Sequence, residues 1–242
     1  MLIIRKEDII HKSVMNRLLM EIADNTILSQ YLAFKGGTCA AMLGYLDRFS
    51  VDLDFDVLPG ENKENLRQEF YEVFKAQSLE IAKEKSRALF FQVRYQSTPK
   101  ERNLMKVSAS DIFIKTNLYK ALYLAEINRI MKCQSVESMF ANKLVAITDR
   151  YNLYRKIAGR DIYDLHYFFT HGYSYRFQII EERTGMGEKE YLRKLSAFIR
   201  KHVTQKLIDE DLNTLLADKQ FKMIRKIIIP ETLSILEKSI NP

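Results

Sequence analysis

Phe34-Lys35-Gly36-Gly37-Thr38 and, ten residues on, Arg48-Phe49-Ser50-Val51-Asp52-Leu53-Asp54-Phe55-Asp56-Val57 decide how this chain is read. In the second segment Val51, Leu53, Phe55 and Val57 alternate strictly with carboxylates at 52, 54 and 56. A strand sends alternate side chains to opposite faces, so the three aspartates are expected on one face and the four apolar residues in a core. Like charges stacked on one face repel, and a divalent cation over them is the obvious way to relieve the repulsion. Carboxylates two residues apart lie about 6.5 to 7 Å apart along a strand, a span that suits one or two magnesium ions also holding a nucleotide's phosphates. A solvent-facing acidic edge strand that blocks aggregation by charge fits the same pattern. Asp56, about 13 Å from Asp52, is too distant to join one metal cluster and is expected as a surface carboxylate.

Working outward, Ile10, Val14, Leu18, Ile22 and Ile27 predict one amphipathic helix over Ile9 to Ser29. Leu32 to Phe34 reads as a short strand, Lys35 to Gly37 as a tight turn and Thr38 to Leu46 as a helix. Asp47 to Ser50 connects to a strand over Val51 to Leu58, stopped by Pro59-Gly60. Glycines at a strand-to-helix turn free the backbone to approach a phosphate, though Gly36-Gly37 is equally a plain turn. Thr38 either offers its hydroxyl to the ligand or caps the helix. Arg48, with Ser50 beside it, can pair with a phosphate or with the acidic strand.

Beyond the strand, Glu61 to Gln77 predicts a surface helix, and strand-like runs follow over Ala88 to Gln96 and Asn103 to Ile114. From about Ser135 helical periodicity continues almost to the end, with Ile227 to Ile229 before Pro230 ambiguous. A soft boundary near 130 therefore divides a mixed α/β part, 1–130, from a helical part, 131–242. In the helical part Lys143 falls beside the stripe of Phe140, Leu144 and Ile147, with Arg150 on its side of the helix. A lysine so placed either reaches into a cleft or snorkels. Gly159-Arg160-Asp161 opens another helix, where Asp161, Asp164 and Phe168 share one side. There Asp161 reads as a cap or dipole partner, and Arg160 with Asp164 as an i, i+4 pair.

Bulk properties narrow the field. The 242 residues suffice for a large domain, or a core with an appended subdomain. Lys and Arg outnumber Asp and Glu by 38 to 31, and the net charge of +7 favours anionic partners. Charged residues interrupt Met1 to Ser13, so no signal peptide is read there, and no apolar run reaches membrane-spanning length. Cys39 and Cys133 lie far apart without ligand spacing, which argues against a disulfide framework or zinc site and for a cytoplasmic protein. His11, His166, His171 and His202 show no metal-ligand spacing, and neither a G-x-S-x-G elbow nor a P-loop is present. The basic stretches Tyr154-Arg155-Lys156, Arg193-Lys194, Arg200-Lys201 and Lys222 to Lys226 are either solvated helix faces or a track for a phosphate backbone.

Taken in order, Phe34 to Thr38, Arg48 to Phe55, Lys143 to Arg150 and Arg160 to Leu165 resemble the AbiEii/AbiGii family of nucleotidyltransferase toxins, part of the DNA polymerase β-like superfamily. The resemblance runs from about Met1 to Phe169, and the remainder is similar only in being helical. It implies an α/β (α+β) fold: a polymerase β-like core with a mixed sheet over 1–130, then a helical bundle over 131–242 that contributes Lys143 and Asp161 to the cleft. It implies a toxin that, with Mg2+, transfers a nucleoside monophosphate from an NTP to an acceptor, the 3′ end of tRNA being the leading one. A protein or small-molecule acceptor, and a degenerate domain without turnover, are the alternatives.

By the same resemblance Asp52 and Asp54 are catalytic and bind magnesium, and Lys143 contacts phosphate. Asp161, ahead of Asp164, is the later acidic residue of the family, while Lys35, Gly36, Gly37, Thr38, Arg48, Ser50 and Asp164 line the nucleotide. The implied partners are NTP, an RNA acceptor and a cognate antitoxin, with no membrane. One departure stands out: Ser108 occupies a strand position where the family often places a third carboxylate, and Asp111 falls on the wrong face. Either two carboxylates suffice, or Asp161 completes the site, or activity is weakened.

Overall fold

The computed structural model describes residues 5–98 and 101–241 and divides the chain into two compact units. One runs to Phe113 and takes in Leu118–Gln134; the other takes Ile114–Asn117 and everything from Ser135 onward.

The first unit opens with α1 (Ile9–Asp24), which buries Val14, Met15, Leu18, Leu19 and Ile22 along one face. The single helix expected over Ile9 to Ser29 is in fact two, because Asn25 turns extended and its side-chain oxygen accepts from the N–H groups of Ile27 and Leu28 to start α2 (Thr26–Tyr31). Then come β1 (Leu32–Lys35), α3 (Gly36–Met42), β2 (Leu53–Val57), α4 (Lys63–Ala76), β3 (Glu80–Lys85), β4 (Leu89–Arg94), β5 (Leu104–Ser110), β6 (Tyr119–Leu124) and β7 (Arg129–Gln134). Among the described residues the strands form one mixed sheet of seven, ordered β3-β4-β5-β2-β1-β7-β6. The β1–β7 and β2–β5 pairs are parallel and the others antiparallel.

Three of these strands carry little sequence signal. Glu80-Ile-Ala-Lys-Glu-Lys85 is charged and exposed because β3 lies on the sheet's edge, where charge blocks further pairing. The β6–β7 hairpin forms the other edge, turning at Asn128, which tolerates a left-handed backbone at φ 53°.

Register fixes the two faces. Phe34, Phe55, Val107 and Phe91 point to the core, where Phe70 and Phe74 of α4 meet Phe91 at ring separations of 5.3 and 5.1 Å. On the other face Lys35, Asp54, Ser108, Phe90 and Lys85 form one cross-strand row through β1, β2, β5, β4 and β3. Cys39 and Cys133 are buried free thiols.

The second unit is helical: α5 (Val136–Tyr154), α6 (Gly159–Thr170), α7 (Phe177–Thr184), α8 (Glu188–His202), α9 (Gln205–Leu212), α10 (Asp218–Ile224) and α11 (Ile228–Ile240). Its core joins Phe140 to Phe168, with ring centroids 5.0 Å apart, and buries Tyr191, whose hydroxyl donates to the Leu144 carbonyl. Gly159 lets α6 approach α9: a Cβ there would stand 2.9 Å from the Leu207 carbonyl oxygen. The ambiguous Ile227–Ile229 run resolves as a helix start, with Pro230 in the first turn of α11 where its missing N–H costs nothing. Among the described residues no helix is long and apolar enough to cross a membrane.

Candidate active site

The glycine pair sits at the start of α3 because the chain has almost no room there. Gly36 has φ +79°, and a Cβ on it would stand 2.9 Å from Asp54 Oδ2. A Cβ on Gly37 would meet Arg48 Nη2 and Ser50 Oγ, each at 2.9 Å. One bare turn is therefore pressed between an acidic side chain and a guanidinium–hydroxyl pair, and it brings together Gly36, Gly37, Arg48, Ser50 and Asp54.

Thr38 neither caps α3 nor stands open to a ligand. It is buried, and its hydroxyl donates to the Asp52 carbonyl at 2.5 Å, tying the helix to the approach of β2. Arg48 is buried as well and donates to the Phe49 carbonyl at 3.0 Å. Asp52 lies just before β2, not within it, and Lys106 Nζ approaches its carboxylate at 3.9 Å. Asp54 Oδ1 accepts from the Ser108 hydroxyl at 2.7 Å. The residue at the expected acidic position thus serves the acid already present, while Asp111 lies past the end of β5 and pairs with Lys63.

Asp56 corrects the sequence reading. It is only 4% exposed, and its carboxylate accepts from the Lys35 ammonium, the Tyr119 hydroxyl at 3.0 Å and the Gln134 amide at 3.2 Å. It is a neutralised buried anion, and Lys35 is committed to it. Tyr119 and Gln134 come from β6 and β7, for which the sequence held no strong strand pattern, so the cluster could not be read in advance.

Behind the acidic segment, His11 Nε2 contacts the Val51 carbonyl at 2.8 Å and Nδ1 contacts the Tyr95 hydroxyl. A carbonyl can only accept, so Nε2 carries the proton and Nδ1 accepts from Tyr95. Burial pushes the His11 pKa down, which favours this neutral form.

The helical unit holds a second constellation. Lys143 on α5 reaches Asp161 and Asp164 on α6 at 3.0 and 2.8 Å, and Arg150, two turns further along α5, reaches Asp161 at 3.1 Å. Both aspartates are fully buried. Burial alone would raise the Asp161 pKa, yet Lys143 and Arg150 outweigh it and bring the carboxyl down to about 2. Asp161 is thus an ion-pair partner in the first turn of α6, and Lys143 does not snorkel freely. Of the basic stretches further on, two spend a cation internally, Arg200 on Glu237 and Arg225 on Asp209.

Among the described residues no three His, Cys, Asp or Glu side chains gather as a ready-made metal set. What Asp52 and Asp54 offer is two hard oxygen donors, with the Ser108 hydroxyl on Asp54, a set that suits a hard divalent cation whose remaining positions are filled by water and phosphate.

Comparison with known proteins agrees with this architecture. No curated protein matches the chain. A crystal structure described as "putative nucleotidyltransferase from H. pylori" superposes with a TM-score of 0.62 at 20% identity, covering 98% of this chain and 97% of that one. A second, JHP933 from Helicobacter pylori, has a TM-score of 0.54 at 20% identity, covering 98% and 96%. At such identity the likeness establishes the fold. The family described as "Nucleotidyl transferase AbiEii toxin, Type IV TA system" matches residues 17–232, nearly the whole length, and the chain belongs to that family.

Proposed function

We propose that this protein transfers a nucleoside monophosphate from a nucleoside triphosphate to the 3′ end of a transfer RNA in the cytoplasm, as the magnesium-dependent toxin partnered by a cognate antitoxin. The observation that carries the reading is the bare Gly36-Gly37 turn held between Asp54 on one side and Arg48 with Ser50 on the other. Backbone without side chains lets phosphate oxygens come close to N–H donors, and Arg48 adds positive charge beside them. Thr38 and His11 hold the Asp52 and Val51 carbonyls and so keep the acidic segment in place.

Asp52 and Asp54 would hold the magnesium, which when bound neutralises charge on the triphosphate. Ser108 orients the Asp54 carboxylate toward that task. The acceptor hydroxyl gives up its proton to solvent water and forms its bond to the α-phosphorus as the bond to the bridging oxygen breaks, and pyrophosphate leaves. From the family pattern, the helical part over 131–242 supplies Lys143 to a phosphate, with Asp161 and Asp164 holding its ammonium in place. The NTP core is the part over 1–130.

The test is incubation of purified protein with total transfer RNA, magnesium and each of the four α-labelled triphosphates, beside Asp52→Ala. Label in RNA with the wild type alone establishes the reaction and names the nucleotide; no label with any triphosphate overturns it. Ser108 at the acid position favours one second reading, a nucleotide- or antitoxin-binding domain without turnover. Under that reading Asp52→Ala stays toxic in cells.

A further inference from the structure

The open face of the sheet continues well past the two carboxylates. The row containing Asp54 runs on through Ser108 to Phe90 and Lys85, and the neighbouring row pairs Lys83 with Gln92 and Gln92 with Lys106, whose ammonium lies 3.9 Å from Asp52. Arg94 follows on the same face, cross-strand from Glu80. Four cations, Lys83, Lys85, Arg94 and Lys106, thus share this surface with three carboxylates, Asp52 and Asp54 at the reacting end and Glu80, which pairs with Arg94 at 3.5 Å, and all four cations are exposed, Arg94 and Lys106 by about half. The Lys85 ammonium stands 5.0 Å over the ring of Phe90, an aromatic that a strand core has no use for here, since Phe91, its neighbour, already fills the opposite face against α4.

We infer that the β3–β4–β5 face is the track along which a single-stranded RNA acceptor is led to Asp52 and Asp54. The inference rests on the nucleotidyl-transfer reading and specifies where its acceptor binds. Strands are spaced about 4.8 Å apart, so Phe90, two strands from Asp54, lies about 10 Å from it along the row, close enough for a base near the reacting 3′ end to stack on the ring. Single-strand binding combines cations that follow the phosphates with aromatic faces that take the bases whatever their identity. Lys83, Lys85 and Arg94 supply the first and Phe90 the second. Lys106 bridges the track to the reacting end, where its ammonium already faces Asp52.

The full-length protein is tested by titrating labelled transfer RNA, and separately a single-stranded RNA oligonucleotide, at stepped salt concentrations. Wild type is compared with Lys83→Ala/Lys85→Ala/Arg94→Ala and with Phe90→Leu, and binding of a labelled triphosphate is measured alongside. The triple variant changes only exposed side chains, and Phe90→Leu keeps apolar bulk, so both fold. The triple variant is expected to bind RNA at least tenfold more weakly and to lose about 2 units of the log–log salt slope. Phe90→Leu is expected to bind about fivefold or more weakly with the slope unchanged. Triphosphate binding stays at the wild-type level in both. RNA affinity unchanged in both variants overturns the track while leaving nucleotidyl transfer standing; a wild type that binds triphosphate but no RNA overturns the RNA acceptor and the track together. Loss of antitoxin binding in place of RNA binding reassigns the face to a protein and also overturns the proposal.

Discussion

At Gly36 a single hydrogen atom separates a working turn from a collision. Gly36→Ala would place a methyl group 2.9 Å from Asp54 Oδ2 at a backbone φ of +79°. Asp54 must then swing from Ser108, and the expected result is a tenfold or larger loss of nucleotidyl transfer with a stability cost of about 1 to 2 kcal/mol, read from labelled-triphosphate assays and denaturant melts. Asp161 controls a different property. Its pKa falls from 3.8 in the unfolded chain to about 2 in the folded protein, so its contribution is complete above pH about 4 and is lost as pH drops through 2. That contribution is about 2 kcal/mol, and Asp161→Asn should remove at least this much at neutral pH by leaving Lys143 and Arg150 short of a counter-charge. Urea melts between pH 6 and 2 check both the loss and the flatter acid limb expected of the variant. The pattern of residues had already marked Asp52, Asp54 and the glycines. It had not marked Asp56 as buried, because its three partners come from β1, β6 and β7, and no local spacing announces that they meet.

Elements here begin and end where side chains supply backbone partners. Asn25 closes off α1 and starts α2, and Asn25→Ala removes the acceptor for two otherwise orphaned N–H groups. A loss of about 1 kcal/mol in a thermal melt is expected, with β1 and its turn the nearest elements to feel it. In the helical unit, Gly159→Ala drives a methyl toward the Leu207 carbonyl oxygen at 2.9 Å and toward Asp211 Cβ at 3.2 Å. Both are parts of α9 that cannot easily retreat, so a destabilisation of about 2 kcal/mol or more is expected in urea unfolding. Elements with a clean apolar period, such as β2 and α4, were legible within a residue or two of their ends. The charged edge strand β3 and the β6–β7 hairpin were not, because edge strands trade apolar alternation for charge.

Over the whole molecule, the chain leaves the sheet unit at Ile114, spends four residues, Ile114–Asn117, in the helical unit, and returns to the sheet before leaving for good after Gln134. Glu182 of α7 secures that visit by accepting from the N–H groups of Lys115 and Thr116 and from the Thr116 hydroxyl, while Asn142 of α5 donates to Asn117. Glu182→Ala should release the segment, and limited trypsin digestion should then cleave after Lys115 several-fold faster than in the wild type, with global stability little changed. Equal cleavage rates would show that Asn142 and Arg176 suffice to hold it.

Local patterns in the chain were enough for the family and for the mixed α/β class with a helical continuation, and they nominated the acidic pair and its glycine turn as the candidate site. Each of these is carried by local chemistry: a period of two, a glycine doublet, a carboxylate spacing. Tertiary structure alone decided that Thr38 braces Asp52, that Ser108 orients Asp54, that Asp56 is neutralised in the interior and that Lys143 is shared between two buried aspartates. It also decided that Lys83, Lys85 and Phe90 lie in register with the acidic pair. Such contacts join residues dozens of positions apart through sheet register and helix packing, and the energy that selects them is set by the partners' burial and geometry, quantities that exist only once the chain has folded.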